Sequence, residues 1–512
     1  MSSSVLKATR RTSVIAGYVF LYVALWIGLT LLFAAAGIRF FWGEITVGQM
    51  LLNLVSVETD GGGGPIVWIG VIGVGIIPLL ITAAIALGHY LRKRKRRLSD
   101  ETPPRRASTL RRTVSTVLVA AVVVGGTTAF ASTVNIGAYL EAANSEYDVA
   151  DHHVEPTITS AADKRNLVLI YLESGEETLA NDELFEKDAF TALKDVTTEA
   201  DGWQSIDSFQ QYAGGGWTMS GLVGTQCGVP LRPAAGSAGS SSSTGTDGDG
   251  ESYLGGVTCL GDVLAEQDYT SVFLGGANSS FAGKDTFLRT HGYAEVKGLA
   301  AWRAAGEPEE NFRSDWGLSD ERLLAQARIQ LDELHADSEQ TGNPFNLSVL
   351  TLDTHEPVHV YDYCTVDTQD VVTSVFACSM ARVAEFVDYM EEQGYLEDTA
   401  VVIMGDHLKH MSAGDAFHDQ LDDHPNRTIF NRIWVPGTDG TDPLRADVDQ
   451  LNLFPTILEA AGLTVEGRQA GLGVSAFASR VPEGSAQALE PGPYADLLTS
   501  LSPEFYGEAW IR

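Results

Sequence analysis

Asn166-Leu-Val-Leu-Ile-Tyr-Leu172, followed at once by Glu173-Ser174, is apolar at every position after its first. A strand with one wet face alternates polar and apolar residues. One that fails to alternate is covered on both faces, the pattern of a central strand in a parallel sheet. Residues 399–404 (Thr-Ala-Val-Val-Ile-Met) repeat that pattern and run into Gly405-Asp406-His407. A third run, 346–352, ends in Asp353-Thr354-His355-Glu356-Pro357. Strands of this kind, alternating with helical stretches, predict an α/β domain with a mostly parallel central sheet flanked by helices. Ligands gather at the carboxyl ends of such strands. Glu173, Asp406 and His407 fall there, and carboxylates with an imidazole are a usual set for a divalent cation. Taken singly, Glu173 reads equally well as a strand-end surface carboxylate, and His355 as a satisfied loop histidine.

Between the first two of these strands lies Gly214-Gly-Gly-Trp-Thr-Met-Ser-Gly-Leu-Val-Gly-Thr-Gln-Cys-Gly-Val-Pro-Leu-Arg232. Three glycines let the backbone turn and approach a ligand closely. The segment after them is apolar enough to wind into a helix. Thr218 then sits where free N–H groups and the positive end of a helix dipole would welcome a phosphate. The ordinary reading of Gly-Trp-Thr is a helix cap, so chemistry at Thr218 has to be argued from what the other strand ends bring.

Toward the N-terminus, apolar runs cover residues 13–37, 66–91 and 113–132, each near the roughly 20 residues a bilayer requires. Residues 45–57 read as a short amphipathic segment at the membrane interface. The loop 92–112 holds ten basic residues against Asp100 and Glu101, whereas the loop before it has Arg39 against Glu44, Glu58 and Asp60. The positive-inside rule puts the N-terminus and the basic loop in the cytoplasm and everything beyond the third span outside it. Ala129-Phe130-Ala131 is also similar to a signal-peptidase site, which leaves release of the outer part open.

Charge divides the same way. Residues 1–132 carry 14 Lys+Arg and five Asp+Glu, and the remainder carries 20 and 62, or about −42 of the whole-chain −33. A surface that acidic suits an exported domain and excludes nucleic acid as a partner. All four cysteines lie in the outer part, as an oxidising compartment permits. Pairing neighbours, Cys227 with Cys259 and Cys364 with Cys378, is the simplest of the three connectivities. Residues 135–148 read as a juxtamembrane helix and 151–164 as a linker. Residues 257–267, 318–336, 379–393 and 445–462 read as framework helices. The Gly/Ser/Asp tract 234–251 reads as a flexible surface insertion.

The order of these segments, with Phe281-Ala-Gly-Lys-Asp-Thr-Phe-Leu-Arg-Thr-His-Gly-Tyr293, Asp315-Trp-Gly-Leu-Ser-Asp320 and His355-Glu-Pro357, resembles the sulfatase-like branch of the alkaline phosphatase superfamily. Within it the chain is similar to the phosphoglycerol transferases of type I, which modify periplasmic glucans, and more distantly to the lipoteichoic acid synthases. The resemblance covers roughly residues 160–480. It implies a division into a membrane domain (1–132), a juxtamembrane helix and linker (133–164), a sulfatase-like catalytic domain (165–485) and a tail (486–512). It also implies a bacterial inner-membrane protein whose catalytic domain is extracytoplasmic. Thr218 is then nucleophile and metal ligand, with Glu173, Asp406 and His407 completing the shell. His355 matches a substrate-side catalytic histidine. Lys284 stands where the lipoteichoic acid synthases have an arginine on the glycerol phosphate, with Arg289 beside it as a second substrate-binding cation. Two departures concern that pocket: a tryptophan of those synthases is Ala282 here, and a histidine is Gly275.

The activity so implied moves glycerol phosphate from phosphatidylglycerol to a cell-envelope glycan, glucan or lipoglycan through a covalent intermediate on Thr218, releasing diacylglycerol. Mostly oxygen ligands point to Mn²⁺ or Mg²⁺, and the single histidine leaves Zn²⁺ open. Phosphoethanolamine transfer, simple phosphodiester hydrolysis and an inactive membrane-anchored binding protein stand as alternatives. Sulfatase chemistry proper is disfavoured, because Cys227-Gly-Val-Pro-Leu-Arg232 has one residue too many between Cys and Pro for the formylglycine motif.

Overall fold

The computed structural model describes residues 3–42, 47–48, 50, 68–98, 105–233, 252–313, 316–410, 416–438 and 440–511. The tract 234–251 and Asp315 lie outside them, as does nearly all of the interfacial segment read at 45–57. The chain divides into two compact units, one running through Tyr139 and the other continuing from Leu140.

The first unit consists of the helices Ser3–Trp42, Ile77–Leu98 and Arg105–Thr133, with a π-helical turn at Val71–Ile76 leading into the second. Three stretches, Ile15–Phe40, Trp68–Lys95 and Leu110–Thr133, are long and apolar enough to cross a membrane. Their apolar side chains face outward, as at Phe20, Leu80 and Leu118, the reverse of a core built for water. The first and third helices touch backbone to backbone: a Cβ on Gly126 would fall 2.2 Å from the Gly28 carbonyl oxygen. Close approach through small residues is how helices associate where no hydrophobic effect drives them.

The second unit is built on a six-stranded sheet. Among the described residues, ten strands run in chain order: β1 (Ile158–Ser160), β2 (Asn166–Leu172), β3 (Thr270–Gly275), β4 (Tyr293–Lys297), β5 (Phe345–Leu350), β6 (Thr399–Gly405), β7 (Asn431–Trp434), β8 (Thr464–Val465), β9 (Gln469–Ala470) and β10 (Gly473–Val474). The main sheet has the order β4-β3-β5-β2-β6-β7 and is parallel except for β7, which pairs antiparallel with β6. β2 is central, and every residue in it is buried. Leu167, Leu169 and Tyr171 enter one core while Val168, Ile170 and Leu172 enter the other, so the unbroken apolar run reflects two covered faces. β6 divides in the same way, with Ala400, Val402 and Met404 on one side and Val401 and Ile403 on the other. Pairing of Leu172 with Gly405 and of Tyr171 with Leu350 brings the carboxyl ends of β2, β5 and β6 to one edge.

The framework helices appear with shifted ends. They are Leu260–Glu266, Asp320–Thr341, Val371–Glu392 and Leu453–Ala460. The juxtamembrane helix is shorter than its sequence suggested, Ile136–Ala142. The linker 151–164 is not free chain, since it carries β1, which pairs with β8. The segment set apart as a tail belongs to the domain. Its helices Pro491–Thr499 and Pro503–Ala509 bury Leu497, Leu498 and Tyr506. The Tyr506 hydroxyl donates to the Pro230 carbonyl, just beyond the Thr218 helix. Both disulfides are those of nearest-neighbour pairing, Cys227–Cys259 and Cys364–Cys378.

Candidate active site

Glu173 and Asp406 each stand one residue beyond the paired ends of β2 and β6, and the Asp406 N–H donates to the Leu172 carbonyl at 3.1 Å. The backbone turns sharply here. Ser174 takes φ 55°, in the left-handed region, and its N–H donates to Asp406 Oδ1 at 2.9 Å while its hydroxyl donates to Glu173 Oε1 at 2.9 Å. Asp406 Oδ1 also accepts the His407 N–H at 2.9 Å. Asp406 Oδ2 is buried and has no hydrogen-bond partner among the described residues.

His407 donates Nδ1–H to the Leu408 carbonyl at 2.7 Å. That bond fixes the tautomer and leaves the Nε2 lone pair free. Nε2 lies 3.6 Å from both Glu173 Oε1 and Asp406 Oδ2. One ligand atom from each of Glu173, Asp406 and His407 fits within 4.8 Å.

Thr218 opens the helix Thr218–Cys227, with Trp217 in extended conformation before it. Its hydroxyl donates to Glu173 Oε2 at 3.4 Å. The helix reaches the strand ends only because Gly221 has no side chain: a Cβ there would sit 2.0 Å from the Asp406 carbonyl oxygen. Of the three glycines before Trp217, only Gly214 has positive φ, while Gly215 is needed for a close approach to Tyr212 and Gln450. Gln450 Nε2 donates to the Asp406 carbonyl at 2.7 Å, closing the loop from behind.

The electrostatics are those of two carboxylates forced together out of water. Burial, reinforced by the Glu173 charge, raises Asp406 to about 7. Burial also opposes the charge on Glu173, but His355, His407 and the Ser174 hydroxyl outweigh it and hold Glu173 at about 2. Burial acts against the charged form of His407 as well, yet the two carboxylates prevail and raise it. An orphaned buried carboxylate oxygen, a second carboxylate, a free imidazole nitrogen and a hydroxyl at one point fit a divalent cation.

Lys284 begins the helix Lys284–Thr290 and is 5% exposed. Among the described residues none accepts a hydrogen bond from its ammonium. Burial lowers it to about 8, against the pull of Glu173 and Asp406. Arg289, on the same helix, is not brought to the cluster. Its side chain is 50% exposed and its guanidinium donates to Asp285 at 2.9 Å.

His355 follows β5. Its Nδ1–H donates to the Glu356 carbonyl at 2.7 Å, which leaves Nε2 as the free nitrogen. Its ring packs on Trp316 at 4.0 Å between centroids. Burial lowers its pKa although Glu173 pulls the other way. The acid at this third strand end, Asp353, goes elsewhere. It is buried beside Asp320 and accepts the Tyr363 hydroxyl at 2.5 Å.

Sequence reasoning passed over His410, whose ring lies 5.1 Å from that of His407, and over Lys409, Arg313 and Gln450. Only His410 carried any signal, a second histidine three residues after the first. The second Cys/His grouping, Cys227, Cys259 and His291, offers no thiolate because the cysteines are bonded to each other. His291 is engaged there by Asp262 at 2.7 Å and the Tyr253 carbonyl at 3.0 Å.

The phosphoglycerol transferase I of Escherichia coli O127:H6 is 33% identical over 275 residues, which cover 51% of this chain and 33% of the relative. The enzyme of the same name from Shigella boydii serotype 18 matches with the same identity and coverage. The chain thus spans about one third of the length of the curated relatives it matches. Among solved structures, an alkaline phosphatase superfamily protein from Vibrio parahaemolyticus aligns with TM-score 0.49 at 20% identity, covering 68% of this chain and 78% of its own. The lipoteichoic acid synthase LtaP from Listeria monocytogenes aligns with TM-score 0.48 at 16% identity, covering 63% and 79%. The sulfatase family model matches residues 165–463, from the first residue before β2 to the end of the helix packed behind the site, and the chain belongs to the sulfatase family.

Proposed function

We propose that the protein is a membrane-anchored phosphoglycerol transferase that moves glycerol phosphate from phosphatidylglycerol to an extracytoplasmic glycan or lipoglycan. The observation that carries this reading is a hydroxyl at a helix N-terminus, Thr218 Oγ1, 3.4 Å from Glu173, with a buried ammonium, Lys284, drawn by the same carboxylates. The identity with phosphoglycerol transferase I supports glycerol phosphate as the transferred group. The three apolar stretches and the basic loop between the second and third support an inner-membrane anchor with the catalytic unit outside.

Glu173, Thr218, Asp406 and His407 would hold the divalent cation, Mn²⁺ or Mg²⁺ with Zn²⁺ as the alternative. When bound it supplies a lowered hydroxyl pKa and draws charge from the phosphoryl group. The Thr218 oxygen forms a bond to phosphorus as the bond from phosphorus to the diacylglycerol oxygen breaks, leaving glycerol phosphate esterified to Thr218. A sugar hydroxyl then attacks the same phosphorus and Thr218 departs. The proton of the Thr218 hydroxyl passes by way of His355 Nε2 to the departing diacylglycerol oxygen, and in the second step the proton of the sugar hydroxyl passes the same way to the departing Thr218 oxygen. The depressed pKa of His355 keeps it a base at neutral pH. Lys284 offsets the phosphate charge, which matters more in so acidic a domain.

The test is mass spectrometry of the full-length protein after incubation with Mn²⁺ and phosphatidylglycerol. A glycerophosphoryl group on Thr218 is expected, together with diacylglycerol release that falls at least ~10³-fold in Thr218→Ala. An adduct with phosphatidylethanolamine alone would move the protein to phosphoethanolamine transfer. Undiminished transfer by Thr218→Ala would sink the mechanism.

A further inference from the structure

We propose that Lys409 is a positioning residue for His355, a buried strut between the loop that carries Asp406 and His407 and the loop that carries His355. What His355 does rests on the phosphoryl-transfer reading above. That the two loops are tied does not.

Lys409 is among the largest fully buried side chains of the molecule, with 1% of its side chain exposed. An ammonium taken out of water needs a partner that offsets the loss. Its Nζ lies 3.0 Å from Glu356 Oε1, an oxygen that is itself buried and otherwise unpartnered. Both main-chain groups of Lys409 are held as well. Its N–H donates to Glu176 Oε2 at 3.0 Å, and its carbonyl accepts from Arg427 Nη2 at 2.6 Å. Glu176, three residues beyond Glu173 and wholly buried, grips the same guanidinium with both oxygens, at 2.7 and 2.5 Å. A bidentate pair of this kind fixes orientation as well as distance. The root of the Lys409 side chain is therefore anchored to the end of β2, and its tip reaches across to the loop after β5.

Glu356 is the residue that orients His355. Its carbonyl takes the His355 Nδ1–H at 2.7 Å and the Trp316 Nε1–H at 3.1 Å. Holding Glu356 thus holds both the imidazole and the indole packed on it. Arg313 braces the far side, donating Nη1–H to the His355 carbonyl at 3.1 Å and Nη2–H to that of Pro357. The ion pair to Lys409 ties this assembly to the metal-binding loop. Without it the His355 loop is still tied to the end of β2, where the Thr354 hydroxyl donates to the Glu173 carbonyl at 2.6 Å, but loses this link to the loop of Asp406 and His407.

The experiment uses the full-length protein in mixed micelles of phosphatidylglycerol and reads two things: initial rates of diacylglycerol release, and hydrogen exchange across residues 353–363. Lys409→Met and Glu356→Gln are each expected to slow release about 10–100-fold, as loss of an outer-shell partner does, with the KM for lipid little changed. In a His355→Ala background the same substitutions are expected to add less than about twofold, because residues that act through one another are not additive. Amides of the His355 loop are expected to exchange at least ~10-fold faster in both variants. Full additivity with His355→Ala, or unchanged exchange, would overturn the proposal. If Lys409→Met does not fold, Glu356→Gln, which keeps the side-chain volume at a partly exposed site, carries the test. If the wild type releases no diacylglycerol, the transfer reading falls. Exchange then decides the strut by itself, faster exchange upholding it and unchanged exchange ending it.

Discussion

Lys284 is the residue whose burial makes least sense without a ligand. It is 5% exposed, has no hydrogen-bond acceptor among the described residues, and faces two carboxylates from which a phosphate could take it over. Its value of about 8 lies below that of a free lysine because burial penalises the charge more than Glu173 and Asp406 favour it. The sign of the pH effect follows. Below about 8 the ammonium carries its proton and meets the donor phosphate, and as pH rises through that value it becomes neutral and the attraction is lost. We expect kcat/KM for phosphatidylglycerol, which reports groups of the free enzyme, to fall above pH ~8. A bound cation, by cancelling the two carboxylates, moves this limb lower and not higher. Lys284→Arg should remove the limb, since a guanidinium stays charged throughout, while Lys284→Met should cost about 10²-fold at pH 7. A pH profile of initial rates checks this. The same alkaline limb in Lys284→Arg would assign it to another group. Arg289 shows why nearness in sequence misled. Five residues along a helix rotate a side chain by about 140°, which carries Arg289 away from the face Lys284 presents and leaves it to Asp285.

At the scale of the element, the site depends on how closely the Thr218 helix approaches the β6 loop. Gly221→Ala would place a Cβ where Asp406 has its carbonyl oxygen, so helix and loop must part. Such overpacking costs about 1–3 kcal/mol. We expect that loss in thermal or denaturant unfolding, together with a fall in kcat of about 10²-fold as Thr218 shifts from the carboxylates. Gly492→Ala, within the helix Pro491–Thr499 and without positive φ, where a Cβ would meet nothing within 4 Å, controls for the glycine-to-alanine change itself. A stable Gly221→Ala with full kcat would mean that this contact does not position Thr218. The elements of the site were legible where sequence and burial coincide. β2 and β6 announced themselves because both faces are covered, and the acids at their ends fall together because parallel strands in register share an edge. The helix Val371–Glu392 begins eight residues before the position its sequence suggested. Val371-Val372-Thr373 is β-branched and reads against a helix. The Asp370 side chain nevertheless caps it by accepting the Val372 N–H, and Val372, Val375 and Phe376 are buried. Tertiary packing overrode propensity there. The ion pair of Lys409 with Glu356 left no trace in the sequence, because partners 53 residues apart have no periodicity to betray them.

The whole molecule joins a catalytic unit to a membrane unit of opposite charge. Residues beyond 132 carry about −42, whereas the first 132 carry about +9. Under the proposed function the donor is phosphatidylglycerol, whose surface is itself anionic, so the catalytic unit left to itself would be repelled from it within about a Debye length. Tethering by the three apolar helices converts that encounter into an intramolecular one at high effective concentration. The second unit has its own two-sided core, both disulfides and all the site residues discussed above. A fragment from Leu140 to Arg512 should therefore fold alone, with cooperative thermal unfolding and no free thiol. On a short-chain phosphatidylglycerol in true solution it should release diacylglycerol at about the full-length rate, because the chemistry is complete. On vesicles of the long-chain lipid it should fall behind the full-length protein by about 10²-fold or more at low salt. Raising the ionic strength should narrow the gap, as screening lifts the repulsion but leaves the tether unchanged. Equal rates on vesicles would remove donor access as the reason for the membrane helices. Failure on the soluble lipid would show instead that the helices contribute to the site itself.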